Sequence, residues 1–146
     1  MTINPSAYSA GCDGLTRLPF LGRTLLQFNL HDEIVRLQNE DSWRRNSGRS
    51  SKTLAKYPDL HVVLILMKAN THLGEHHVDA RISIQLIQGK IRVRLPERNV
   101  NLETGDLLTL DYAVLHNVEA LEESAFLITI SWPGGSKEER HARNLA

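Results

Sequence analysis

Two segments of this chain carry side chains with an obvious capacity for chemistry. The first is His72-Leu-Gly-Glu-His-His77, and the second is the run from Gly105 to His116, Gly-Asp-Leu-Leu-Thr-Leu-Asp-Tyr-Ala-Val-Leu-His. Imidazole and carboxylate groups of this kind bind divalent transition metals or share protons, and they cluster poorly without something to share. His72, Glu75, His76, His77 and His116 are therefore the candidate functional residues. His31 in the first turn of a helix and His141 in a charged tail need no function, and His61 opens an apolar strand.

The elements around them decide which way each side chain points. In an extended strand, residues two apart share a face. On that rule Glu75 and His77 share one face and His76 takes the other. His116 shares its face with Val118 and looks toward an apolar interior. His76 becomes a reserve ligand if a bulge rotates the strand, and His72, in the preceding turn, is a weaker one.

From residue 53 onward the chain reads as short strands. Thr53 to Lys56 is a short strand, and His61 to Lys68 is a continuous apolar run of the buried-strand type. Arg81 to Ile87 alternates, with Ile82, Ile84 and Leu86 against Ser83 and Gln85. Lys90 to Leu95 alternates again, with Ile91, Val93 and Leu95 on one side. Further strands span 100–102, 107–110, 116–120 and 125–131, with turns at Gly89, Pro96–Asn99 and Thr104–Asp106. Seven or eight short strands at roughly ten-residue spacing predict a sandwich or barrel.

The N-terminal part differs. Residues 1–27 form an irregular arm. A helix follows, with Asn29 as its cap, Asp32 in its first turn, and Leu30, Ile34 and Leu37 on one apolar face. Residues 44–52 are polar and basic (Arg44, Arg45, Arg49, Lys52) and read as a solvated loop or an anion contact. Lys52-Thr53 lacks the glycines of a phosphate-binding loop. The expected organisation is 1–52 for arm, helix and basic loop, 53–133 for a β-barrel, and 134–146 for a charged tail.

At 146 residues the chain is the size of one domain. Its 17 basic and 17 acidic residues leave no net charge, which argues against general nucleic-acid binding. No apolar run reaches membrane-spanning length, and no secretory signal is evident. A single cysteine, Cys12, excludes an internal disulfide and fits a reducing, cytoplasmic setting. A Gly-x-Ser-x-Gly elbow, a His-Glu-x-x-His helix and a Cys-x-x-Cys pair are all missing.

The two segments together resemble the paired motifs of the cupin superfamily. The first cupin motif is Gly, five residues, His-x-His, three or four residues, Glu, six residues, Gly. Here that spacing falls on Ala69, Glu75-x-His77, Ile82 and Gly89. The second is Gly, five residues, Pro-x-Gly, two residues, His, three residues, Asn. Here it falls on Gly105, Asp111-x-Ala113, His116 and Ala120. His77, Gly89, Gly105 and His116 agree, and the remaining positions depart. The resemblance covers about residues 60–132. It implies an all-β, cupin-type double-stranded β-helix, a jelly-roll barrel of the RmlC-like kind, carrying an N-terminal α-helix.

The resemblance also implies metal-ligand roles for His77 and His116. Glu75 stands where the first motif histidine would be, and Ile82 stands where the ligand glutamate would be. A set of Glu75, His77 and His116, with His76 in reserve, would suit Fe, Mn, Ni or Zn. If the protein is an enzyme, the resemblance implies a metal-dependent dioxygenase or isomerase of small-molecule metabolism. Tyr112, Arg81 and Gln85 could orient a polar ligand. Two other readings stand beside this one. The first is a ligand-binding or sensing module that needs no metal, and the second is a structural module that works as a homodimer, a common trait of small cupins.

Overall fold

A computed structural model describes residues 21–45 and 48–134. The start of the expected arm with Cys12, Asn46-Ser47, and the tail from residue 135 with His141 lie outside the described residues. Among the described residues two helices precede eight strands: α1 (Leu30–Gln38), α2 (Asp41–Arg45), β1 (Arg49–Tyr57), β2 (Leu60–Met67), β3 (Arg81–Gln88), β4 (Lys90–Arg94), β5 (Asn99–Glu103), β6 (Leu107–Leu110), β7 (Asn117–Ala120) and β8 (Ser124–Ser131). Strand pairing is antiparallel throughout. One sheet runs β1-β2-β8-β3-β6 and the other β5-β4-β7.

The alternation in β3 and β4 positions the core. Ile82, Ile84 and Leu86 meet Ile91 and Val93 from the facing sheet, together with Leu102, Leu110, Val118, Phe126 and Ile128. Each such side chain stabilises the fold by about 1.5–3 kcal/mol when fully buried, so the barrel interior is filled by side chains. Gly89 turns β3 into β4 with φ of 94°, and a Cβ there would lie 2.3 Å from Ser124 Oγ and 2.5 Å from the Glu123 carbonyl. Only glycine meets both demands.

A second apolar layer lies on the outer face of the five-stranded sheet. Asn29 caps α1, its side chain accepting from the Asp32 amide at 3.1 Å. Ile34 and Leu37 of α1 and Trp43 of α2 then bury against Leu54, Leu64, Leu66 and Ala125. The Lys68 ammonium sits 5.1 Å from the Trp43 ring centroid.

This layer corrects the reading of the basic stretch. Arg49 to Lys52 is not loop but the first half of β1, paired with Leu64–Met67. Lys52 is only 5% exposed, and its Nζ lies 2.8 Å from Oε2 of Glu33, itself 1% exposed. Lys52 shares the outer face with the apolar residues that α1 covers, so its ammonium must meet a carboxylate there. Residues Asp41–Arg45 form a short second helix.

Candidate functional site

Residues 70–78 do not form a regular strand, yet they line the free edge of β7. The Asn70 amide donates to Ala120, the Leu73 amide donates to Val118, and His76 and His116 exchange both backbone hydrogen bonds at 2.9 Å. Asn70 (φ 67°) and Gly74 (φ 90°) interrupt the extended conformation. Alternation still holds from Glu75 to His77, and what is corrected is which of the two faces looks inward, since the resemblance would place Glu75 and His77 there. The ring that meets His116 belongs to His76, with centroids 4.3 Å apart at an interplanar angle of 62°. Glu75 and His77 are exposed. His72 lies instead beside Glu119, with its Nε2 at 4.0 Å from Oε1.

His116 is held from both sides. It is 3% exposed, and its Nδ1 lies 2.8 Å from the Val114 carbonyl. The turn before it places Ala113 at φ 55°, with its amide donating to Val78. Ala113 occupies the position where the cupin pattern has glycine, and the backbone keeps a left-handed conformation there. For a residue with a Cβ that conformation costs about 1–2 kcal/mol.

Burial is the main cause that pushes the His116 pKa below its usual 6.5. The Val114 hydrogen bond opposes that shift, and the charges of His76 and His77 add to it. The His76 Nδ1 contacts the Gly74 carbonyl at 2.9 Å. A carbonyl can only accept, so Nδ1 donates in each ring. In neutral His116 this leaves Nε2 as a free acceptor.

Beside His116 lies a narrow cleft of about 150 Å³, too tight to admit water, lined by Val78, Ala80, Ile82, Leu110, Asp111 and Val114. Ile82, 6% exposed, supplies apolar wall where the cupin pattern has a ligand carboxylate. Among the described residues, no group of three or more His, Cys, Asp or Glu side chains is arranged to hold a metal ion. The structure brings together His76 and His116 but does not add Glu75 or His77 to them. Two imidazoles fall short of the three protein ligands usual for a catalytic centre, so the donors present do not fit the expected two-histidine, one-carboxylate set.

Sequence reasoning missed Glu119 altogether. It lies 2.9 Å from Arg94 and 3.9 Å from Arg92, and the Arg94 hydrogen bond chiefly holds its carboxyl below the usual carboxylate range. The signal was available, because Arg92, Arg94 and Glu119 all alternate with core residues on neighbouring strands.

No protein-family model and no curated protein matches the sequence. Solved structures do match it in shape. A cupin-2 domain-containing protein from Shewanella frigidimarina superposes with a TM-score of 0.59 at 18% identity, covering 72% of this chain and 94% of that one. A cupin superfamily protein from Desulfitobacterium hafniense gives 0.59 at 15% identity, covering 61% and 82%. KdgF from Halomonas sp. gives 0.56 at 24% identity, covering 59% and 82%. With the two antiparallel sheets, these likenesses establish that the chain has the cupin fold. It is a small cupin barrel with a helical layer on one outer face. Among the described residues no helix is long and apolar enough to cross a membrane.

Proposed function

We propose that this protein is a small-ligand-binding cupin module whose site at the barrel mouth works without a resident metal. The observation that carries the reading is Ile82, a buried hydrocarbon on the wall of the cleft beside His116. An apolar wall and one free imidazole acceptor suit a small organic molecule with a single hydroxyl or N–H donor. Ligand entry requires the dry cleft to widen, and the irregular 70–78 segment is the wall with the fewest regular strand contacts. The test is thermal unfolding of EDTA-treated protein against a panel of small phenols, alcohols and carboxylic acids. At least one compound raises Tm, and His116→Leu abolishes the rise. Stabilisation seen only after loading with Fe, Mn, Ni or Zn would overturn the reading.

A second reading has its own observation. Imidazoles whose Nδ1 donates to a carbonyl are oriented as metal-binding imidazoles are, and His76 and His116 both have that arrangement. A divalent metal held by these two, with His77 or Glu75 recruited, would supply the Lewis-acid or dioxygen chemistry of a dioxygenase or isomerase. Elemental analysis of untagged protein decides it. One equivalent of metal, lost in the His76→Ala/His116→Ala double variant, favours this reading over the first. Homodimer formation belongs with either reading, and a solution mass measured by light scattering tests it.

A further inference from the structure

The five-stranded sheet has an outer face that changes character along its strands. On β8 the outward residues are Ala125, Leu127, Thr129 and Ser131, and the first two pack in the layer beneath the helices. On β3 they pass from Gln85 to Ser83 and Arg81. Register aligns the polar ends. Ser83 pairs with both Thr129 and Thr109, and Arg81 pairs with Ser131 and lies 3.1 Å from Asp111. The result is two adjacent rows, Thr129–Ser83–Thr109 and Ser131–Arg81–Asp111, on the face opposite Ile82, Ile84 and Ile128. Together with Ile82 and Leu110 they line an open groove of about 420 Å³, within the size range of small-molecule sites.

We propose that this groove, which adjoins the His116 cleft and shares Ile82, Leu110 and Asp111 with it, is a second binding site for a neutral polyhydroxylated ligand of the saccharide class. Four of the six polar lining groups are hydroxyls, each able to donate and accept, which matches a ligand built of hydroxyls. Among the described lining residues the only charges are the guanidinium of Arg81 and the carboxylate of Asp111. They cancel, so the groove holds no net charge to select an ion. Each still offers directional bonds: Asp111 accepts from ligand hydroxyls and Arg81 donates to them. Tyr112 stands beside the pair, with the Arg81 guanidinium carbon 4.5 Å from its ring centroid and Nη1 3.5 Å from its hydroxyl. Ile82 and Leu110 give the groove the apolar lining against which the C–H face of a sugar can pack. Thr109, Ser131, Arg81 and Asp111 are exposed and reachable.

The experiment is a titration of the isotope-labelled full chain with glucose, galactose, mannose, N-acetylglucosamine, maltose and cellobiose. Amide shifts are followed by NMR up to about 10 mM sugar, which reaches affinities in the millimolar range. At least one sugar shifts the amides of Ser83, Thr109 and Thr129 while leaving those of His76 and His116 in place. The Ser83→Ala/Thr109→Val variant, whose side chains keep their shape and whose Tm serves as the folding control, weakens that sugar about tenfold or more through two lost hydrogen bonds. Absence of shifts with every sugar would overturn the proposal. So would shifts confined to the His116 cleft, unchanged affinity in the folded variant, or saturation by acetate or phosphate instead of sugar. His76 and His116 do not line the groove, so their shifts report on the barrel-mouth reading and the failure of one proposal is distinguishable from the failure of the other.

Discussion

Replacing Lys52 with methionine should destabilise the protein far more than a surface lysine would. Glu33 and Lys52 are both almost fully buried, and their charged atoms lie 2.8 Å apart. Lys52→Met keeps the length of the aliphatic stem but strands the Glu33 carboxylate between α1 and β1. Removing one partner of a buried pair costs about 3–5 kcal/mol. The Arg36 guanidinium, 3.6 Å from the other Glu33 oxygen and half exposed, offers partial relief. The expected loss is therefore at the lower end, about 3 kcal/mol. For a chain of this size that lowers Tm by about 6–12 °C. It also moves the urea midpoint by about 1.5 M, for an m-value near 2 kcal/mol/M.

Trp43, buried in the same layer, gives the fluorescence signal. The Glu33→Leu/Lys52→Met double variant removes both charges together and should fall within about 1 kcal/mol of the wild type, or above it. If the single variant lost less than about 1 kcal/mol, the pair would behave as a surface pair and the burial argument would be wrong. If the double variant were as unstable as the single one, packing rather than the stranded charge would be responsible.

Further outcomes test the turns and the buried histidine. Gly89→Ala combines a positive φ with a Cβ inside contact distance of Ser124 and Glu123, and should cost about 3 kcal/mol or more, whereas Gly105→Ala, with φ 93° but open space, should cost about 1 kcal/mol. In the opposite sense, Ala113→Gly relieves the strain at φ 55° and should raise stability by about 0.5–1 kcal/mol, all three changes being read by chemical denaturation. Because burial lowers the His116 pKa below 6.5, the unfolded chain takes up this proton first. Its contribution to stability is whole above pH 6.5 and is lost as pH falls toward the folded-state value. Wild-type Tm should then drop more between about pH 7.5 and about pH 5 than that of His116→Phe, and equal drops would refute the assignment.

Much of the barrel was legible because its strands alternate cleanly. Ile82, Ile84 and Leu86 faced the core as their spacing requires, and Asn29 capped the helix it was expected to cap. Lys52 was misplaced because a polar run such as Arg-Ser-Ser-Lys looks solvated when read alone. Its partner carried the missing signal, since Glu33 falls on the same helical face as Leu30, Ile34 and Leu37. The histidine facing failed for a different reason. Alternation put Glu75 and His77 on one face and His76 on the other, as observed, but the resemblance implied that the first face looks inward, and the docking of this irregular segment turns His76 inward instead. Local sequence supplied the candidate residues, but the one that turns inward was decided by how residues 70–78 dock on β7.

That docking has a consequence for how the site can vary. The 70–78 segment is pinned to β7 at a few backbone positions and is otherwise free of regular ladder constraints. Three consecutive residues, Glu75, His76 and His77, therefore compete for one inward place opposite His116. A single insertion or deletion near Gly74 would exchange imidazole for carboxylate, or one imidazole for the next, while leaving the eight-strand scaffold untouched. The chemistry of the barrel mouth is thus set by loop length as much as by residue type, and one-residue length variants of this segment offer a direct way to re-specify it.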